Sequence, residues 1–163
     1  MPVRQLRGND DHSDFCLKQA LINRVLGNPA LAVATTNTKV KTTNAVTFSI
    51  EGILYTLGAS DNITVSGLTN TAAAQVRLVR VEVNTAGTVS FVEGPVASAA
   101  ALALMPRRTA SKATLGYLTV PASFTWGTTD ATGLTYVNGD PDLGIGTLPP
   151  HDRGLAADVL TGP

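Results

Sequence analysis

VTFSIEGILYTL, residues 46–57, decides the fold class. Val46, Phe48 and Ile50 point one way and Thr47 and Ser49 the other, the period-2 signature of a half-buried strand. Ile53, Tyr55 and Leu57 repeat the pattern. Between the two runs stands Glu51-Gly52, a pair suited to a two-residue hairpin, with glycine supplying the left-handed backbone such turns need.

The same pattern runs outward to Val137. Gly58 to Asn62 reads as a turn, with Ile63 and Val65 in the strand after it. Gln75 to Val83 is the strongest single strand. Val76, Leu78, Arg80 and Glu82 lie on one of its faces and Arg77, Val79, Val81 and Val83 on the other, so both faces are expected to be partly covered. Arg80 and Glu82, sharing a side, are placed to meet groups on adjacent strands. Asn84 to Gly87 closes a hairpin and Thr88 to Val92 returns. Glu93-Gly94-Pro95 ends that strand. The Ala-rich stretch to Met105 reads as a short helix with Pro95 in its first turn. Thr114 to Val120 resumes extended structure, which Pro121 breaks. Leu134 to Val137 is the last strand before the Asn138-Gly139-Asp140-Pro141 turn.

Upstream, Asp10 to Leu26 carries apolar residues at helical spacing, with Asp10, Asp11 and Asp14 near its start and Arg24 near its end. Gly27 and Pro29 stop it. Leu31 to Ala34 reads as a short strand and Thr35 to Asn44 as a polar loop or edge strand. Downstream, 141–163 is a Gly- and Pro-rich tail with scattered apolar anchors. The expected organisation is an arm and helix over 1–45, a mainly β, antiparallel β-sandwich or jelly-roll over 46–140, and an extended tail over 141–163.

Composition narrows the function. The 163 residues hold 12 Lys and Arg against 12 Asp and Glu, a formal net charge of zero. That balance argues against a nucleic-acid binder or an anionic-membrane binder. One cysteine, Cys16, excludes an intrachain disulfide and Cys-based zinc sites. No apolar run reaches the length of a membrane span, and no signal-peptide core follows Met1. Charged residues make up only 15% of the chain, which suggests surface covered by partners.

Nothing in the motifs calls for catalysis or a cofactor. Asp10, Asp11, His12 and Asp14 lack metal-ligand spacing and read as helix capping and surface charge. Asp140 and Asp142 flank Pro141 as a turn, and His151-Asp152 has no activated nucleophile nearby. Gly144-Ile145-Gly146 lacks the strand–loop–helix context of a dinucleotide site. Tyr55, Tyr117, Phe124, Trp126 and Tyr136 read as core layers; exposed in a row, they would instead form a stacking platform.

Three segments carry a resemblance. VRVEVNTAGTVSFV (79–92), KATLGYLTV (112–120) and FTWGTTD (124–130), in this order, resemble the small head decoration, or cement, proteins of tailed bacteriophages. The resemblance covers roughly residues 46–137. It implies a non-enzymatic β domain on the outer surface of a virion, synthesised in the host cytoplasm. It also implies a trimer whose subunits bridge neighbouring copies of the major capsid protein. Phe15, Leu21, Val25, Leu155 and Leu160 are the expected apolar contacts, with Arg107 and Arg108 meeting acidic groups at the rim. A tail-fibre component that binds a cell-surface glycan is the alternative.

Overall fold

The structure, a computed structural model, describes residues 23–140. Its strands are β1 (Arg24–Val25), β2 (Leu31–Val33), β3 (Val40–Thr42), β4 (Val46–Ile50), β5 (Ile53–Leu57), β6 (Ser60–Ile63), β7 (Arg77–Val83), β8 (Val89–Glu93), β9 (Ala113–Val120) and β10 (Thr135–Asn138). Two 3-10 turns, Ala100–Leu102 and Ala131–Gly133, are the helical elements among the described residues. The strands form three sheets, in the orders β1-β4-β5, β2-β3-β6 and β10-β9-β7-β8. Every strand pairing is antiparallel. The chain is therefore mainly β and sandwich-like, as the alternation predicts.

One core joins the three sheets. Val46, Phe48 and Ile50 of β4 meet Val79, Val81 and Val83 of β7 and Leu115, Leu118 and Val120 of β9. A Phe48 side chain fully removed from water contributes about 1.5–3 kcal/mol by transfer alone. Glu51 and Gly52 both take positive φ, 52° and 80°, so the hairpin closes as a two-residue turn with Ile50 opposite Ile53.

In β9 the period of two slips once. Val81 faces Gly116 but Glu82 faces Thr114, leaving Leu115 as the extra residue of a bulge. Both Leu115 and Leu118 thereby reach the main core, while Tyr117 points to the opposite face with Leu78. Gly116 is obligatory beside the bulge: a Cβ there would lie 2.2 Å from the Val137 carbonyl oxygen and 2.8 Å from Leu31 Cδ1.

Five expectations need correction. Arg24 and Val25 do not end a helix; they pair with Ser49 and Phe48 as β1, because an open edge of β4 satisfies their backbone better than a last helical turn. The described residues before Val46 share the core, through Val25, Leu31 and Val40. Val40 to Thr42 is the central strand of its sheet rather than an edge, and β6 begins at Ser60, inside the segment read as a turn. The Ala-rich stretch 95–105 forms one 3-10 turn and no α-helix. The residues of the expected helix before Asn23 and of the tail after Asp140 lie outside the described residues.

Candidate functional site

Strand β7 is buried along its whole length, although one of its faces carries Arg80 and Glu82 beside Leu78. What covers that face is the link between β8 and β9. Ala97 exchanges two backbone hydrogen bonds with Val76, of 2.7 and 2.8 Å, which commits the link to extended structure before a helix can start. Gly94 N–H donates to the Leu78 carbonyl at 2.8 Å. A Cβ on Gly94 would meet the Leu104 carbonyl oxygen at 2.3 Å, so a side chain here would push the link off the sheet. Ala103, fully buried, wedges between Leu78 and Tyr117. Alanine is thus used for close approach and not for helix propensity.

Charged groups fasten the far end of the link. Arg80 Nε donates to the Pro106 carbonyl at 3.0 Å and its Nη1 to Thr114 Oγ1 at 3.1 Å. Arg80 also pairs with Asp140 Oδ1 at 3.4 Å, and Arg108 pairs with Oδ2 of the same carboxylate. Glu82 Oε1 accepts the Thr109 amide at 2.9 Å. Arg80, Glu82 and Asp140 are 1%, 1% and 3% exposed, so this clamp works in low dielectric where its polar groups need partners.

The acidic group expected opposite Arg108 therefore belongs to this chain. Asp140, read from the sequence as a turn residue, spends its carboxylate on two arginines. Arg107 is exposed beside the clamp. Val25 faces the core, 8% exposed, and is corrected from an interface residue to a packing residue: its strand presents it to Phe48, not to solvent. Phe15, Leu21, Leu155 and Leu160 lie outside the described residues, as do Cys16, the 10–14 acidic group and His151.

The outward side of the link is apolar. No charged residue occurs from Gly94 to Pro106. Val96, Leu102 and Leu104 are 45%, 64% and 53% exposed, with exposed Ala99, Ala100 and Ala101 between them. Exposed leucines in such a row mark contact surfaces more often than single ones do. A second apolar exposure is the tip of the β4–β5 hairpin, at Ile53 and Leu54. A groove of about 490 Å³ lies between Arg24–Asn28 and Asn138–Gly139. Sequence reading passed over the leucines of the link because an uncharged Ala/Leu run looks like a buried helix. The uncharged run itself was the available signal.

The aromatic residues are spent on packing. Phe124 and Tyr117 are buried, and Trp126 meets Phe124 edge-on at 4.8 Å while its Nε1 donates to the Thr69 carbonyl. Tyr55 stacks on Phe48 at 5.5 Å. Tyr136 donates its hydroxyl to the Ala131 carbonyl, and burial, helped by Asp130, pushes its phenol up to about 12. At the other edge of the sheet, partial burial would raise the Glu93 carboxyl, but the Thr69 amide and hydroxyl and the Arg77 guanidinium outweigh it and hold it below its ordinary value. Hydrogen bonds from Thr35 lower Asp61, and those from Thr132 lower Asp130. Each of these perturbed groups serves a local structural bond.

No protein-family model, curated protein or solved structure matches this chain.

Proposed function

We propose that this chain is a non-enzymatic virion structural protein that binds the outer surface of a phage head and bridges neighbouring major capsid subunits. One observation carries the reading: the uncharged link of Val96, Leu102 and Leu104, exposed on its outer side and clamped to a rigid sheet on its inner side. A surface held in this way loses little conformational freedom on docking. Burying it contributes roughly 25 cal/mol per Å² of apolar area. A shell repeats the contact at every equivalent position, so a modest energy per copy reinforces the whole lattice. The zero net charge agrees with contact to protein rather than to packaged nucleic acid. The resemblance of 79–130 to head decoration proteins supports the same location and a trimeric arrangement. The glycan-binding alternative draws no support from the aromatic residues, which pack inward.

Mixing the purified protein with undecorated heads tests the reading. Saturable binding is expected, with loss of binding in Leu102→Asp and Leu104→Asp at unchanged circular dichroism. Absence of saturable binding by the unaltered chain would overturn it.

A further inference from the structure

Among the described residues the hairpin strand β5 is an edge of its sheet, hydrogen-bonded on one side only, to β4. Its partner-facing residues follow from parity. In a two-residue hairpin the flanking pair, Ile50 and Ile53, exchanges both hydrogen bonds, and antiparallel pairing then alternates. Ile53, Tyr55 and Leu57 thus spend their backbone groups on β4. Leu54 and Thr56 turn theirs outward, and no residue among those described bonds to them. Leu54 is also 63% exposed and Ile53 58%.

Natural edges are usually blunted by charge, proline, distortion or cover. The other long edges here are. In β6, Asp61 is charged and Asn62 sits at φ 56°. In β8, Ser90 is capped by Lys112 Nζ at 2.7 Å and Glu93 is held by Thr69. In β10, Asn138 reaches across to the Leu31 amide at 2.7 Å. Strand β5, ILYTL, has no charge, no proline and no bulge.

We propose that β5 is a seam for a second copy of this chain, paired antiparallel about a two-fold axis through Tyr55. Self-pairing is favoured over a different partner strand by charge and register. No like charges face each other across the axis, which is the usual obstacle to an edge meeting its own copy. Three two-fold registers bring outward groups together: Leu54 on Leu54, Thr56 on Thr56, or Leu54 on Thr56. Only the last uses both residues of both copies, giving four backbone hydrogen bonds. It also sets Ile53 opposite Leu57 of the second copy and covers Leu54. The result is a continuous six-stranded sheet with the order β1-β4-β5 mirrored about its centre. A five-residue seam falls below the size of a standard interface, so the dimer is concentration-dependent. It joins copies in pairs in free solution; the trimeric arrangement proposed above is one formed on the head, and the pairing depends neither on it nor on the capsid-facing link.

Sedimentation equilibrium of the purified chain, with no heads present, is paired with hydrogen exchange at low and high protein concentration. The expected result is a monomer–dimer equilibrium in which the Leu54 and Thr56 amides slow as concentration rises. Leu54→Lys should be monomeric with unchanged circular dichroism. The proposal is overturned if the unaltered chain stays monomeric up to its solubility limit. It is equally overturned if Leu54→Lys still dimerises, or if the oligomer leaves both amides exchanging as fast as in the dilute protein.

Discussion

Asp140 shows how much a single side chain holds in this molecule. Its carboxylate is 3% exposed and faces Arg80 and Arg108. Removing one member of a buried charge set leaves the rest uncompensated, which costs about 3–5 kcal/mol. Asp140→Asn should therefore lower the urea midpoint sharply, with the slope of the transition unchanged. Glu93 makes the corresponding pH argument. Its folded-state pKa is lowered from 4.5, so its contribution to stability is present above that value and is lost as pH falls through the folded pKa. Urea midpoints measured from pH 7 downward should drop below about pH 4.5, and Glu93→Gln should flatten that limb. Asp61 and Asp130 are lowered too, so part of the limb remains in the variant. The sequence made it legible that Arg80 and Glu82 share a side. It did not reveal the partner: Asp140 is 60 residues away from Arg80, and chain-distant pairing leaves no local signal.

Among the elements, those written by alternation were readable and those written by pairing were not. The β4–β5 hairpin follows from VTFSI, a Gly-containing turn and ILYTL, and it forms as read. Its weak point is Glu51, a non-glycine residue at φ 52°. Asparagine tolerates that region better, so Glu51→Asn should stabilise the protein by about 0.5–1 kcal/mol. The exposed Ser111–Glu51 hydrogen bond lost in the exchange offsets little. Thermal unfolding followed at the tyrosine and tryptophan bands checks the sign. The short strand β1 was invisible because two residues carry no period, and its place comes from the Ser49–Phe48 edge it joins. The link was misread for a related reason. Its alanines score as helix formers, yet Gly94, Ala97 and Ala103 are each fixed by contact with β7 or its flank. Tertiary contact overrides propensity where the contact is this close.

The whole molecule is balanced in charge, with 12 basic and 12 acidic residues, and its described residues expose leucines at Leu26, on the β4–β5 hairpin and on the link. Such a protein has little electrostatic repulsion to keep copies apart near its isoelectric point. Its solubility in polyethylene glycol should be lowest close to pH 6.7 and should recover on either side. A minimum far from that value would show that buried charges dominate the titration. The fold class was legible at this scale. The apolar contact surfaces were expected at the chain ends, whereas the described residues place exposed leucines on the link and the hairpin. The link itself has one further use. It is fastened at Ala97 and again from Ala103 to Pro106, while Ser98 to Leu102 between them is exposed. A spacer spliced after Ala99 would lengthen only the slack between two buckles, so the strap offers a way to abolish docking on the head without unfolding the sheet beneath it.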